Sequence, residues 1–205
     1  MKLYYAPGAC SLSPHIVARE AGLLLQLVKV DTKTHRIEGG RDFYEVNPRG
    51  YVPVLEMEDG ALLREGSAIV QVLADSAPQA HLIPPAGTME RVRVQEWLNF
   101  IATEFHKQFI PILRGGPEEV LSAQREKIRR VLVELDQDLS VRAYLTGDHF
   151  TVVDAYAFTI ASWCNLARVK FDLQSFANLR AFLARVAARP AVQDAMRAEG
   201  LALLS

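Results

Sequence analysis

The sequence predicts two units of different class: a small α/β unit at the N-terminus and an all-helical unit after it. Three observations carry that division. Residues 2–76 alternate short extended runs with helical ones, in the order β-α-β and then α-β-β-α. Residues 77–87, APQAHLIPPAG, hold three prolines and no periodicity, which marks a linker. From residue 88 to 205 the apolar residues recur at helical spacing.

In the first unit, KLYY reads as the opening strand. SPHIVAREAGL places Ile16, Val17 and Ala21 at near-helical spacing, with Pro14 suited to a first turn and Gly22 to a C-cap. LQLVKV alternates as a half-buried strand. A polar segment from Asp31 to Gly40 follows, then a helical turn at DFYEV and the break NPRG. VPVLEM and ALLRE form a hairpin across Asp59–Gly60. GSAIVQVLADSA returns to helical period through Ile69, Val72 and Leu73. The unit is too small for a doubly wound nucleotide domain, and Pro7, Gly8 and Cys10 do not fit a GxGxxG loop after the first strand.

The helical half carries three long stripes: Val94, Trp97, Leu98, Ile101 and Phe105; Leu121, Ile128, Leu132, Leu135 and Leu139; Val152, Tyr156, Thr159, Trp163 and Ala167. ANLRAFLARVAARPAV adds two shorter helices broken near Pro190. In GDHFTVVDAY, Thr151 is placed to cap a helix while Asp154 returns a hydrogen bond, a capping box with Asp instead of Glu or Gln. Phe150 is placed to staple against Ala155. Replacing Asp154 is therefore expected to affect folding, by about 1 kcal/mol.

Whole-chain numbers exclude several function classes. With 23 basic and 24 acidic residues the net charge is −1, and no basic tract suggests nucleic acid. No stretch reaches the length of a membrane span, and Pro7 interrupts MKLYYAPG where a secretory signal would continue. The two cysteines, Cys10 and Cys164, form neither a zinc pattern nor a disulfide framework. The cytoplasm is the expected compartment, and no metal is expected.

Four short stretches carry chemistry. Cys10 lies between a strand end and a helix start, where backbone N–H groups and the helix dipole favour a thiolate; a small residue filling a tight turn is the alternative. Ser13 completes C-x-x-S, so any thiol partner is external. In GYVPV, a cis Val52–Pro53 bond leaves the Val52 backbone available to an extended ligand, unless Pro53 simply opens a strand in trans. In REGSAI, the N–H groups of Gly66 and Ser67 with the Ser67 hydroxyl suit a carboxylate, and Glu65 an ammonium; a plain cap by Ser67 is the alternative. WLNFIATEFHKQ sets Asn99, Thr103 and His106 on one polar helix face with Lys107 beside it. Glu104 lies about 160° around an α-helix from His106.

Together these residues resemble the beta class of bacterial glutathione S-transferases. The resemblance runs through KLYYAPGACSLSPHIVAREAGL, NPRGYVPVLEMEDG, LREGSAIVQVLAD, EWLNFIATEFHK, GDHFTVVDAYAF and RPAVQDAMRAEGL, and so covers essentially the whole chain. It implies a thioredoxin-like N-terminal domain with a mixed four-stranded sheet over residues 1–76, and a helical domain over 88–205 with an electrophile pocket and dimer contacts. Glutathione is then the co-substrate, with no permanently bound cofactor. Cys10 is expected to approach or reversibly disulfide-bond the glutathione sulfur, with His106 and Lys107 facing that sulfur and the electrophile. Val52, beside cis Pro53, pairs with the cysteinyl portion. Glu65 and Gly66 hold the γ-glutamyl end, with Glu104 reaching in from the other subunit of a homodimer and Asn99 nearby. The family often has Ser at position 66, so Ser67 is expected to supply the hydroxyl.

Position 35 is His35, where the family commonly has lysine near the glycyl carboxylate; Lys33 and Arg36 are substitutes. Histidine loses its charge far below lysine, so carboxylate binding is expected to weaken as pH rises. The implied reaction is attack of the thiolate on a small hydrophobic electrophile in a cleft between the domains, with residues Ile110 to Gly116 and Trp163 to Ala167 around the acceptor. Tyr5 and Ser11 are close enough in sequence to share the hydrogen bonding with Cys10, so Cys10 is not expected to be indispensable for conjugation. A glutaredoxin-like thiol–disulfide oxidoreductase and a non-catalytic ligand-binding protein are the alternatives.

Overall fold

Parallel pairing of the first two strands organises the N-terminal unit, because such a pair needs a crossover element and the intervening segment supplies a helix. The computed structural model describes residues 1–166, 169 and 171–202. Its contacts divide into two units, Met1–Ile83 with the chain from Ala187 onward, and Pro84–Val186.

In the first unit, β1 (Lys2–Tyr5), α1 (Leu12–Glu20) and β2 (Gln26–Asp31) form the βαβ turn, with Leu3 opposite Leu27 in the ladder. β3 (Arg36–Ile37), β4 (Val54–Glu56) and β5 (Leu62–Arg64) complete a sheet in the order β3-β2-β1-β4-β5, and α2 (Gly66–Asp75) follows. β4 runs antiparallel to β1 and β5. The four expected strands are joined by β3, two residues inside the polar segment and too short to show a period. The Asp59 side chain accepts from the Ala61 N–H at 2.9 Å, and Gly60 takes φ +84° at the tip of the β4–β5 hairpin.

Side chains alternate across the sheet. Tyr4, Val30 and Val54 join Phe43 and Val46 in one apolar cluster, with the Tyr4 and Phe43 rings 5.8 Å apart. Leu3 and Leu55 are fully buried, as are Ile16, Val17, Ile69 and Leu73 where α1 packs on α2. Each such aliphatic side chain contributes about 1.5–3 kcal/mol by leaving water.

The last helix, α8 (Pro190–Ala198), packs against α1 in this unit. The sequence reading placed all of 88–205 in the helical domain, since no linker composition marks the passage near residue 187. Val192, Ala195 and Met196 of α8 are buried, and long-range polar contacts join them. Arg189 meets the Glu20 carboxylate through two nitrogens at 2.6 and 2.8 Å. Glu199, at the C-cap of α8, accepts from the Gly8 N–H at 2.9 Å and meets His15 Nδ1 at 2.9 Å.

The second unit contains α3 (Met89–Phe100), a π-helical segment Ile101–His106, α4 (Lys107–Arg114), α5 (Glu118–Asp138), α6 (Val152–Ser162) and α7, which spans Ala177–Ala187 and so ends at the unit boundary. Val94, Leu98, Ile101 and Phe105 are buried, as are Ile128, Leu132 and Leu135. α6 is buried on every face from Val152 to Ala161, the mark of a central helix. Its capping box is formed, with the Thr151 N–H donating to Asp154 Oδ2 at 2.8 Å. Phe150 lies edge-on to Tyr144 at 5.9 Å. Ala167, the last residue of the predicted third stripe, lies outside the described residues. Among the described residues, no helix is long and apolar enough to cross a membrane.

Candidate functional site

The chemistry-bearing residues of the first unit gather on three local structures. The first is the turn from β1 into α1. Ser11 Oγ accepts from the Ala6 N–H at 3.1 Å and donates to the Ala6 carbonyl at 3.2 Å, so this hydroxyl ties the turn together and is buried. Both bonds of the Ser11 hydroxyl thus go to Ala6, whereas the sequence suggested that it could share in the hydrogen bonding of the glutathione sulfur. Gly8 takes φ +68°, which favours glycine, and presents its N–H to Glu199. Cys10 follows, half-buried at the start of α1 and outside any disulfide. Its Sγ donates to the Val52 carbonyl at 3.4 Å. Ser13, one turn on, is buried in α1, and its hydroxyl has no hydrogen-bond partner.

The second structure is the loop that delivers Val52. The Val52–Pro53 bond is cis. Asn47 organises the approach: its amide donates to the Tyr51 carbonyl at 2.7 Å, and its side-chain oxygen accepts from the Arg49 N–H and from Arg64 Nε, both at 3.2 Å. Gly50 is required here by contact as well as by its φ of +69°, since a Cβ would lie 2.8–2.9 Å from the Tyr44 and His35 rings. His35 itself is left-handed, φ +54°, and its ring lies 4.6 Å from that of Tyr44. Its Nδ1 is buried without a partner. Arg36 donates to the Gly40 carbonyl at 3.1 Å, and Lys33 is exposed.

The third is the start of α2. Glu65 is its N-cap residue, with φ +69°, a region costly for any side chain and found at functional sites. Its exposed carboxylate lies 3.0 Å from Arg49 Nη1. No side chain caps the helix, so the plain cap by Ser67 does not form. Gly66 has room: a Cβ there meets Pro53 Cγ at 3.8 Å, an ordinary contact.

The second unit holds the remaining candidates on the π-helical segment and its edges. Pro111, inside α4, has no N–H to return to the Lys107 carbonyl, and the wider π turn lies just before that position; such turns recur at functional sites. The 100° step therefore fails between Glu104 and His106. Glu104, Lys107 and Asn99 are exposed, and the Asn99 carbonyl accepts from the Thr103 hydroxyl at 3.0 Å. His106 is mostly buried. Its Nδ1 lies 2.8 Å from the Tyr156 hydroxyl, and its ring is 5.1 Å from that of Trp163. Burial, with the Lys107 charge adding, lowers its pKa to about 4, so the imidazole is neutral near pH 7. Burial pushes the Cys164 thiol up to about 12, which removes it as a nucleophile.

Sequence reasoning missed Asn47, Glu199 and Tyr156 as organisers. The Asn-Pro pair of NPRG signalled a turn. Glu199 carried a subtler sign, a carboxylate just before Gly200 at a helix C-terminus, where the dipole disfavours it. Tyr156 looked like one more apolar position of its stripe. Among the described residues, no group of three or more His, Cys, Asp or Glu side chains is placed to hold a metal ion.

Two family models match the chain: glutathione S-transferase, N-terminal domain, over residues 8–76, and glutathione S-transferase, C-terminal domain, over residues 96–190. The chain is 46% identical over 202 residues to glutathione S-transferase GstA of Escherichia coli O157:H7, covering 98% of this chain and 100% of that one. It superposes on a bacterial beta class glutathione S-transferase from Sphingomonas chungbukensis with a TM-score of 0.95 and 42% identity, over 98% and 100% of the two chains. A sphingomonad glutathione S-transferase complexed with glutathione matches with a TM-score of 0.94 and 40% identity, again over 98% and 100%.

Proposed function

The chain belongs to the glutathione S-transferases, in their bacterial beta class, and is a glutathione transferase with glutathione as co-substrate; on that premise we propose how its residues divide the work. Glutathione lies along Val52–Pro53, its cysteinyl backbone pairing with Val52. Its γ-glutamyl end sits at Glu65, Gly66 and Ser67, where the N–H groups at the start of α2 take the carboxylate and Glu65 the ammonium. His35 takes the glycyl carboxylate. Asn99 adds a polar contact, and Glu104 serves the site of the second subunit of a homodimer.

The observation that carries this reading is the Cys10 thiol donating to the Val52 carbonyl, 3.4 Å away, beside the strained start of α2 in one unit. It supports sulfur chemistry where an extended peptide would pair its backbone. The glutathione thiolate, stabilised by the N-terminus of α1 and by His106 and Lys107, attacks the carbon of a small hydrophobic electrophile. A carbon–sulfur bond forms while halide departs, or the thiolate adds across an activated double bond and the carbon takes a proton from solvent. His106 acts here as a neutral hydrogen-bonding group, in keeping with its lowered pKa. The cytoplasm, with its glutathione pool, is the proposed compartment.

A redox activity is supported by Cys10 standing half-buried outside any disulfide and by Ser13 at the position of a resolving cysteine. The Cys10 thiolate attacks a glutathione mixed disulfide, releases the other thiol and becomes a Cys10–glutathione disulfide. A second glutathione thiolate then frees Cys10 and leaves as glutathione disulfide. Wild type and Cys10→Ser, assayed with glutathione against an aryl halide and a mixed disulfide, separate the activities. Loss of exchange with partial survival of conjugation is expected. Full exchange by Cys10→Ser would remove Cys10 from the redox step, and inactivity of the wild type in both assays would favour a binding protein.

A further inference from the structure

A neutral imidazole has one proton to place on two nitrogens, and the bond made by one nitrogen decides what the other offers. In His106 the deciding bond is visible. Nδ1 lies 2.8 Å from the Tyr156 hydroxyl, on a helix buried along its length. The Tyr156 and Trp163 rings both meet the imidazole edge-on, at 79° and 70°, which fixes its plane. A phenol O–H is a stronger acid than a neutral imidazole N–H, and an imidazole nitrogen is a better acceptor than a phenol oxygen. The favoured bond therefore runs from the Tyr156 O–H to the Nδ1 lone pair, and the ring proton is left on Nε2.

We propose that Tyr156 is a positioning residue whose hydroxyl holds His106 as the Nε2–H tautomer, so that His106 brings an N–H donor to the reaction. The consequence is mechanistic. A donor stabilises the anionic sulfur or a departing halide, but it cannot take the glutathione thiol proton, which leaves to solvent instead. This deepens the role given to His106 above and rests on it. Tyr156 does its part through His106; its hydroxyl is used on Nδ1.

The tautomer is read directly by nitrogen NMR of protein labelled with 15N-imidazole histidine. The chain has five histidines, and His106→Gln identifies the His106 signals by difference. Ligand-free wild type near neutral pH is expected to show its proton on Nε2 and a bare Nδ1. In Tyr156→Phe, which keeps the ring, the two nitrogens should average towards a mixture. Conjugation kcat should fall roughly two- to tenfold, the worth of one hydrogen bond, with KM for glutathione unchanged. A wild-type proton on Nδ1, an unaltered tautomer in Tyr156→Phe, or a loss confined to KM overturns the proposal. If Tyr156→Phe fails to fold, the wild-type spectrum alone decides. Wild-type conjugation by His106→Gln would instead overturn the role of His106 and leave the tautomer result standing.

Discussion

Asp154→Ala tests whether a residue inside the most buried helix is there for folding alone. The sequence suggested a cap worth about 1 kcal/mol. The structure makes the loss larger. The carboxylate is fully buried and accepts from the Leu145 N–H at 2.9 Å, the Thr151 N–H at 2.8 Å and the Thr151 hydroxyl at 3.0 Å. Alanine strands the two backbone donors, at about 1–3 kcal/mol each when buried, so the expected loss is about 2–6 kcal/mol. Asp154→Asn keeps the shape and one carbonyl oxygen and should lose less. Urea unfolding followed by the fluorescence of Trp97 and Trp163, both in the same unit, reads the difference. An Asp154→Ala midpoint equal to wild type with conjugation abolished would refute the structural assignment. Equal losses in the Ala and Asn variants would refute the accounting by stranded donors.

Glu199→Ala removes the acceptor of the Gly8 N–H and the buried partner of His15 Nδ1, so thermal stability should fall by about 1–3 kcal/mol, the cost of one buried group left unpaired, with a smaller loss in Glu199→Gln; scanning calorimetry of both variants checks this. Gly50→Ala sets a Cβ against His35 and Tyr44 at a positive φ, costing at least about 1–2 kcal/mol of backbone strain; denaturation should show that loss and kinetics a raised KM for glutathione. His106 and Asp154 should impose opposite pH dependences. The folded His106 pKa of about 4 lies below its unfolded value of 6.5, so the unfolded state binds more protons in that window and stability rises with pH, by about 3 kcal/mol. The folded Asp154 pKa of about 6 lies above 3.8, so the native state binds more protons and stability falls with pH over that range. Stability curves from pH 4 to 7 should therefore tilt downward with pH in His106→Gln and upward in Asp154→Asn relative to wild type; parallel curves would contradict both shifts.

Most of the fold was legible because its signals are local. A period of two or 3.6, a proline-rich break and a Thr-x-x-Asp box each lie within a dozen residues. The parts that escaped are set by contacts distant in sequence. β3 is two residues long and exists because Val30 and Asp31 offer an edge to Ile37 and Arg36. The attachment of α8 to α1 combines the buried Val192, Ala195 and Met196 with the pairs Arg189–Glu20 and His15–Glu199, and nothing near residue 187 announces those pairs. The π turn at Ile101–His106 looks amphipathic and α-helical in one dimension.

The same distinction governs the site. Cys10, Pro53 and Glu65 were singled out because each breaks a local rule, a thiol at a helix start, a proline at a strand entrance, a carboxylate before Gly-Ser, and the family resemblance then weighed against a plain reading of each. The residues that fix them obey local rules and so stayed hidden. Ser11 looked like a spare hydroxyl beside Cys10, yet both of its bonds go to Ala6. Tyr156 fitted its stripe so well that its hydroxyl drew no notice, yet that oxygen is 2.8 Å from His106, the histidine that the chemistry of the reading uses. A reactive group is conspicuous because its chemistry costs local stability. Its support adds to stability, and only the distance between two atoms far apart in the chain reveals what it does.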